Sequence, residues 1–570
     1  MTKIKGFFKK RWFWVLVVIL FTIPTFWTLI RPGFFSMHDD LQAFRIYEMD
    51  KCFADFQIPC RWVPDAGYQY GYPQFNYYPP SVYYLGEVLH LLGIGFINAT
   101  KILFAAGFVL SALAMFLLVS DLFGNFPGFV SAVLYTFVPY KAVDVYVRGA
   151  LSEFWSLVFY PLIFWAVYKL IKTLKTKYIA LLALSIGLLL TTHLLMSMIF
   201  TLPAAVWTIY WLVKENKLAK IGKVVAGVFL GVGAAAFFIL PVVFERQYAH
   251  TETLTMGYFG YLQHFVNVFK LFISGEWGYG SSGFPNEKLN LSTGLIQWIF
   301  ALVSLVISTF YIFVEKKNKV RKNWSLLVVV LSLLELFILF MIHVKSSFIW
   351  KLIPLLAWLQ FPWRFLTVSV FLLAVIGGIG VYLLPKLKKA VGFLLIFLAV
   401  ILNISYFVPK DWIDISDAEK FSGASWQKQL TISIFDYLPV YAKLPPISAA
   451  PAIPEVLQGN AVFISYVKGS DFQKGKVMVL ERALVRLPLF DFPGMRVRID
   501  GNPVPHINND CSGQEFCLGL ITFNIPAGEH EIEVELEDTP VRRVGNYLSL
   551  GSLAGIGWIL IKKNKNEKDF

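Results

Sequence analysis

Apolar segments of 15 to 23 residues recur along almost the whole chain, separated by short polar stretches. A helix that crosses a bilayer needs roughly 20 mostly apolar residues. We therefore predict about twelve transmembrane helices. They cover residues 12–30, 98–120, 126–140, 150–171, 178–193, 194–213, 221–243, 293–314, 324–344, 364–384, 390–408 and 546–561.

Two parts of this pattern do not give the number of crossings directly. The stretch 178–213 contains no acid or base except His193 and is too long for one crossing at about 1.5 Å per residue, so a turn is expected near "TTH". The apolar stretches 79–96 and 347–361 are further candidate spans. All the basic clusters fall on one side only if neither stretch crosses, and basic loops are typically cytoplasmic. We predict that both stretches are interfacial and that both termini are cytoplasmic.

This topology places four large pieces on the outer side, namely the first outer loop 31–97 and the segments 244–292, 345–363 and 409–545. All four cysteines lie in these pieces, as the close pairs Cys52 with Cys60 and Cys511 with Cys517. In an oxidising compartment such pairs are expected to form local disulfides.

The last outer piece has a different periodicity from the rest. Stretches such as "MRVRIDG", "GLITFNI" and "HEIEVELE" alternate with period two between turn sequences. We predict a small extracytoplasmic β-sandwich over 409–545, after a transmembrane domain over 1–408. A final transmembrane helix and a basic cytoplasmic tail follow over 546–570.

Composition and charge agree with a membrane location. The 570 residues are 57% hydrophobic and only 15% charged, whereas soluble domains are about a quarter charged. The net charge of +14 does not indicate nucleic acid as a partner. Its lysines lie in short runs such as "KENKLAK" between apolar segments, which is the distribution expected beside a membrane.

The most unusual polar stretch is "SMHDDLQAFRIYEMD", which places His38, Asp39 and Asp40 just after the first apolar run. Adjacent carboxylates at this position can bind a divalent metal such as Mg²⁺ or Mn²⁺, or one of them can act as a general base towards a hydroxyl. The alternative is that an Asp caps the following helix. The sequence leaves these interpretations open, and they are compatible.

Aromatic residues crowd the stretch 61–84, which has seven tyrosines, among them Tyr77 and Tyr78, and four prolines. Aromatic faces suit the apolar faces of sugars, and tyrosine hydroxyls add hydrogen bonds. An interfacial aromatic belt is the alternative, but it does not account for the prolines and glycines, which indicate a fixed irregular loop.

Candidate anion-binding residues lie in "PYKAVDVYVRGALSEFW" and "LQFPWRFL". Arg148 can hold a phosphate through its planar fork, and Glu153 lies close by in sequence. Arg364 begins a predicted span, where a cation is functional or a headgroup anchor. Lys141 is expected to be a solvated, snorkelling cation. His193 is a further candidate, although a lone histidine is more often structural.

Several of these motifs together resemble a known class. The first-loop acids, the stretch "IPCRWVPDAGYQYGYPQFNYYPPSVYYLGEVLHLLG", and "TTHLL", "FPWRF" and "DYLPVY" resemble bacterial membrane proteins labelled 6-pyruvoyl-tetrahydropterin synthase-related, within the GT-C class of membrane glycosyltransferases. The resemblance implies transfer of a sugar from a polyprenyl-phosphate donor to a glycan or protein acceptor. It makes Asp39 or Asp40 the catalytic carboxylate, which acts as base on the acceptor hydroxyl or helps to bind a metal. It makes Arg364, or else Arg148, the residue that holds phosphate.

Two alternatives to a glycosyltransferase in cell-envelope glycan assembly remain at this point. A transporter or flippase of lipid-linked sugars needs ionisable groups in the membrane and often has inverted repeats. No repeat is visible, and Glu335 is the clear acid within a predicted span, where it must be paired or protonated. A non-catalytic sugar-binding assembly protein is the second alternative.

Overall fold

The computed structural model describes residues 10–283, 287–314 and 318–562. Within these ranges, eight helices are long and apolar enough to cross a membrane, and a bent pair of helices that meet at 71° adds a ninth crossing if it is counted as one span. The eight helices are Phe96–Phe123, Leu151–Thr173, Leu194–Lys214, Leu295–Val314, Lys319–Ile342, Pro362–Leu383, Lys388–Tyr406 and Pro540–Ile561. The bent pair is Leu218–Ala234 with Ala236–Phe244. The protein is a polytopic helical membrane protein.

Three of the twelve predicted spans form shorter helices, Arg11–Thr22, Asn125–Thr136 and Lys177–Thr192, of 12, 12 and 16 residues. A helix of this length reaches about 18–24 Å, short of the roughly 30 Å hydrocarbon core. The count of twelve is therefore not confirmed, although each predicted span contains helix. The predicted turn at His193 is confirmed, because one helix ends at Thr192 and the next begins at Leu194.

The two stretches predicted to be interfacial do not form long helices. Residues Ser81–Leu91 form an 11-residue helix, and the second stretch contains Ser347–Leu352 followed by the 3₁₀ turns Pro354–Leu359. At about 1.5 Å per residue none of these elements can cross a bilayer. Their lengths agree with a location at the membrane surface.

The helix Leu366–Leu383 lies at the centre of the membrane part, and nearly all its residues are buried. It packs against Asn125–Thr136, Leu295–Val314 and Lys319–Ile342. Close approach is possible because Gly380 has no side chain, since a Cβ there would overlap the hydroxyl of Ser304. Glu335 is buried, and Ser369 of the central helix donates a hydrogen bond to its Oε1, while its Oε2 has no hydrogen-bond partner among the described residues.

The first outer loop pairs with the segment that follows helix Lys388–Tyr406. Its short strand β1 (Phe34–Phe35) pairs antiparallel with β2 (Trp412–Ile413). Cys52 and Cys60 form a disulfide in the loop, and Cys511 and Cys517 form a second one, so both predicted pairings are confirmed.

The remaining short helices are Gln42–Ala54, Gln74–Tyr77, Pro139–Ala142, Val143–Val147 (π-helical), Val268–Phe272, Asp417–Lys420 and Gly423–Thr431.

Six antiparallel strands form the sheet domain, which we define as Glu455–Leu536. They are β3 (Glu455–Lys468), β4 (Phe472–Phe490), β5 (Met495–Ile499), β6 (Asn502–Val504), β7 (Leu520–Ile525) and β8 (Gly528–Leu536). The order is β3-β4-β8-β5-β6, and β7 pairs with the second half of the long strand β4. The sheet is confirmed, whereas the two stacked sheets of a sandwich are not, because all six strands are hydrogen-bonded into one sheet.

The last helix begins six residues earlier than predicted, at Pro540 instead of residue 546. The side chain of Thr539 caps it by accepting a hydrogen bond from the backbone N–H of Arg542 at 3.3 Å. Most of the predicted basic tail, residues 563–570, and residues 1–9 lie outside the described residues.

Candidate functional site

The acid pair is fastened to the turn that carries Arg148. The backbone N–H groups of His38 and Asp39 donate to the carbonyls of Val147 and Arg148 over 2.9 and 3.0 Å. The π-helical turn Val143–Val147 thus brings two sequence motifs into direct contact that are more than 100 residues apart. π-Helical turns occur frequently at functional sites.

Asp39 is held by two donors from the helix that follows it. The Gln42 amide and the Arg45 guanidinium donate to its Oδ2 over 2.8 and 2.9 Å, and 31% of the Asp39 side chain stays exposed. Arg45 is buried and lies over the ring of Tyr78, 4.2 Å from the ring centroid. Helix Gln42–Ala54 has no side-chain cap, so the capping interpretation is not what the structure shows.

Asp40 binds a different cation on a different segment. Lys420, which is buried, donates to its Oδ1 over 2.9 Å. Burial raises the pKa of the Asp40 carboxyl, while Lys420 and Lys428 oppose that shift. This ion pair joins the first outer loop to helix Asp417–Lys420, which indicates a structural role and leaves Asp39 as the better candidate base.

The residues present do not fit the divalent metal considered from the sequence. Each carboxylate of the pair already holds its own cation, Arg45 or Lys420. Over the part of the chain that the structure describes, no three His, Cys, Asp or Glu side chains form a group that could hold a metal ion. Mg²⁺ and Mn²⁺ sites are built from several oxygen ligands, and this donor set does not supply them.

A buried arginine cluster, which we define as Arg148, Glu153 and Arg364, lies beside the acid pair. Oε2 of Glu153 accepts from Arg148 Nη2 at 2.8 Å and from Arg364 Nε at 3.0 Å. The hydroxyl of Tyr140 donates to Oε1 of Glu153 over 2.5 Å. Arg148 also donates to Asp144 over 2.5 Å. One carboxylate therefore holds together two guanidinium groups from segments that are distant in sequence, the end of the turn Val143–Val147 and the 3₁₀ turn Pro362–Phe365.

Arg364 keeps a donor available for a ligand. Its Nη1 donates to Leu359 O and Gln360 Oε1 over 2.8 and 2.9 Å. Among the described residues, its Nη2 has no hydrogen-bond partner, and 11% of the side chain is exposed. His193 lies within electrostatic range of Arg364 and Glu153, and its buried Nδ1 has no partner in the described chain. Arg364 Nη2 is therefore suited to donate to an anion, and His193 Nδ1 does so in the tautomer that carries its proton there.

The last outer piece contributes Asp436 and Tyr437 to this region. Burial raises the pKa of Asp436 to about 6, and both Asp39 and Arg45 lie close enough to influence it. Tyr437 lies within range of Asp39, Arg45 and Arg364. The sequence "DYLPVY" is part of the family resemblance, but no role was predicted for its acid. Arg45 was also missed, because it looks like one polar position in a helical pattern.

Three other predicted residues have different surroundings. His38 is exposed, and its Nε2 lies 3.1 Å from the carbonyl of Tyr279 in the second outer piece. Tyr77 donates to the backbone carbonyl of Glu245 over 2.6 Å and stacks on Tyr437. Lys141 was expected to be solvated but is fully buried. Its ammonium group donates to the hydroxyl of Ser111 over 2.8 Å instead of to water.

Glu245 forms a joint between three parts of the protein. Its carboxylate accepts hydrogen bonds from Asn76 of the first outer loop and from Thr539 and Arg542, at the junction between the sheet domain and the last helix. Glu245 itself follows the bent helix pair. Tyr77, which donates to the Glu245 carbonyl, is therefore part of this joint, whereas Tyr78 lies against Arg45 beside Asp39.

Together, the fold and this site define a polytopic membrane protein in which an acid-bearing loop lies against a buried arginine cluster. The sequence model of the family described as 6-pyruvoyl-tetrahydropterin synthase related domain, a membrane protein, matches residues 75–409. The match covers more than half of the chain, and the chain belongs to this family.

Relatives and solved structures give weaker likenesses. An uncharacterised protein of Lactococcus lactis subsp. cremoris is 25% identical over 250 residues, which is 41% of this chain and 40% of that protein. Among solved structures, the Archaeoglobus fulgidus oligosaccharyltransferase AglB, in complex with an inhibitory peptide and a dolichol-phosphate, is 14% identical with a TM-score of 0.42. That alignment covers 78% of this chain and 61% of AglB.

The mycobacterial arabinofuranosyltransferase AftD is 15% identical with a TM-score of 0.40, over 71% of this chain and 28% of AftD. This chain thus spans less than two thirds of each of these proteins.

Proposed function

We propose that this protein is a membrane glycosyltransferase of GT-C type. It moves a sugar from a polyprenyl-phosphate-linked donor to a glycan or protein acceptor during cell-envelope glycan assembly. The observation that carries the proposal is the hydrogen bond from Asp39 to the backbone of Arg148, whose side chain shares Glu153 with Arg364. The backbone of the candidate base is therefore fastened to the backbone of an arginine from the candidate phosphate-binding cluster.

In this proposal the arginine cluster binds the departing phosphate. The leaving group is the lipid phosphate, which gains negative charge as its bond to the sugar breaks. The free Nη2 of Arg364 supplies a donor for it, and Nδ1 of His193 supplies a second one in the tautomer that carries its proton there. Donors fixed before the reaction stabilise such charge without reorganisation. Glu153 and Arg148 are positioning residues, and Arg148 is fixed further by Trp363, whose ring centroid lies 4.5 Å from the guanidinium carbon.

Asp39 acts as the base on the acceptor. Gln42 and Arg45 fix its Oδ2 and leave its Oδ1 for the incoming hydroxyl. The acceptor oxygen bonds to the anomeric carbon, the bond from that carbon to the phosphate oxygen breaks, and the acceptor proton passes to Asp39. The lipid phosphate leaves with the bonding electron pair. No step requires a metal ion.

The proposal also assigns the surroundings of the reaction. The first outer loop and the sheet domain face the extracytoplasmic side of the cell membrane, and both termini are cytoplasmic. Lipid of the outer leaflet delivers the donor beside the interfacial helix Ser81–Leu91. The sequence distribution of basic clusters supports this orientation.

The test is transfer by the purified full-length protein in nanodiscs from polyprenyl-phosphate-linked hexoses to added oligosaccharide or peptide acceptors. Mass spectrometry follows the released polyprenyl phosphate and the glycosylated acceptor. A positioned base typically contributes 10²–10⁴-fold to the rate, so Asp39→Asn is expected to reduce release at least about 100-fold. Asp40→Asn is expected to have a smaller effect, because Asp40 binds Lys420. Full activity of Asp39→Asn would refute the mechanism.

A matched variant controls for the acid-to-amide change itself, and a transport assay tests the flippase alternative. Glu529→Gln changes an exposed acid of the sheet domain and is expected to keep full activity. Movement of the intact donor across proteoliposome membranes, without release of polyprenyl phosphate, would instead support the flippase alternative.

A further inference from the structure

A cavity of about 260 Å³ lies in the sheet domain, at its contact with the first outer loop. Tyr70 of that loop forms part of its wall, together with proline-rich residues 445–451 and the disulfide-closed loop 511–517. The volume lies just under the roughly 300–1,000 Å³ of pockets for drug-sized ligands. A ligand of one or two sugar rings matches this size.

Tyr70 is the polar group that points to a ligand. It is only 6% exposed, and its ring packs against Phe490 with centroids 5.3 Å apart. Its backbone carbonyl accepts a hydrogen bond from Phe490 N at 3.1 Å, which fixes the loop on the sheet. Within the described residues the Tyr70 hydroxyl has no hydrogen-bond partner, although a buried tyrosine hydroxyl usually finds one.

The charged groups of the cavity disfavour an anionic ligand. Arg486 is buried, and four of its five N–H groups donate to Glu455, Asp510 O and Ser512 O. The lining also holds two acids, Glu455 and Glu515, against this one arginine. The Glu455 side chain is 56% exposed and keeps its Oε1 available as an acceptor. Burial raises the pKa of the Tyr70 phenol, with Arg486 and Glu455 in range, which places this hydroxyl beside the ion pair.

The rest of the lining offers both apolar and polar surface. Pro446, Pro451 and Phe516, which is 39% exposed, supply apolar surface, and Ser448 and Gln514 supply polar groups. Aromatic and proline surfaces match the C–H face of a sugar ring, while Tyr70 and Glu455 accept hydrogen bonds from its hydroxyl groups.

We propose that this cavity binds one or two residues of a neutral glycan. The site goes beyond the proposed sugar transfer, because no step of that reaction uses the cavity. It gives the sheet domain a function of its own, which is to hold a glycan on the surface of the first outer loop.

The experiment is saturation-transfer difference NMR on the full-length protein in nanodiscs. The probes are the methyl glycosides of glucose, galactose, mannose, rhamnose and N-acetylglucosamine. At least one glycoside is expected to bind. Tyr70→Phe keeps the ring but removes the hydroxyl, and is expected to weaken the affinity for that glycoside about three- to tenfold, the usual effect of one hydrogen bond. Phe516→Ala removes an exposed apolar wall and is expected to weaken binding as well.

Glu529→Gln lies outside the cavity and is expected to leave glycoside binding unchanged. Absence of binding for all five probes overturns the proposal, and so does binding that Tyr70→Phe and Phe516→Ala leave unaltered. Glycoside binding by Asp39→Asn shows whether a probe occupies the cavity or the candidate transfer site. Binding that is lost in Asp39→Asn but kept in Tyr70→Phe belongs to the candidate transfer site and overturns the glycan cavity without affecting the proposed transfer.

Discussion

Glu87 provides a sharp test of how the first outer loop is packed. It lies on the helix Ser81–Leu91 and is fully buried, and neither carboxylate oxygen has a hydrogen-bond partner among the described residues. Burial and nearby Asp50 together raise its pKa from 4.5 to about 7, while His90 opposes the rise. The folded protein therefore holds a proton on Glu87 at pH values where the unfolded chain has already released it.

The sign of the effect follows from proton binding in the two states. Between about pH 4.5 and 7 the folded state binds more protons than the unfolded state, so the free energy of unfolding falls as pH rises. The contribution of Glu87 is complete below its unfolded pKa and is lost as pH rises through its folded pKa. Between about pH 5 and 8 the loss amounts to about 2–3 kcal/mol.

Glu87→Gln replaces the carboxylic acid by a neutral group of the same shape. We expect the variant to match the parent near pH 5 and to be more stable near pH 8, because it never has to bury a carboxylate anion. The assay is the apparent thermal midpoint of the detergent-solubilised protein across this range. Glu529→Gln is the matched control, since that side chain is exposed. An unchanged pH dependence in Glu87→Gln would refute the reasoning.

Two further predictions concern stability in the same thermal assay. Glu153→Gln leaves two buried guanidinium groups without their shared carboxylate and is expected to lose about 3–5 kcal/mol, whereas Glu215→Gln breaks a more exposed ion pair and is expected to lose less than about 1 kcal/mol. Equal effects of the two variants would contradict the buried arginine cluster. Gly71→Ala adds a Cβ that overlaps the indole of Trp62 at a φ of +83°, and is expected to lower the midpoint more than Gly93→Ala, where φ is +89° but nothing lies within 4 Å. A larger effect at Gly93 would show that the loop is not packed as described.

The helical part of the fold was largely predictable, because lipid requires long apolar segments and each one is visible in sequence. The break at His193 followed from length alone. The sheet could be predicted only from the alternation of apolar and polar residues. Its strand order could not be predicted, since β4 has 19 residues and pairs with β8 along its first half and with β7 along its second half. Alternation shows which residues share a face, but it does not show which strands are neighbours.

Part of the candidate site was visible and part was not. Asp39, Arg148 and Arg364 were found because charges beside a membrane are costly and therefore informative. The partner of Asp40 was not found, because Lys420 is 380 residues away in sequence. Arg45 resembled an ordinary polar position of a helix until the fold placed it over Tyr78. Such pairs depend on tertiary contacts that one sequence does not reveal.

The joint at Glu245 has a consequence for protein engineering. A sheet domain attached only by flexible connections could be exchanged between homologues as a module. Here one carboxylate bonds to Asn76, Thr539 and Arg542 at the same time. A chimera that imports a foreign domain must carry matching residues at all of these positions, or it leaves an unneutralised buried charge between its parts.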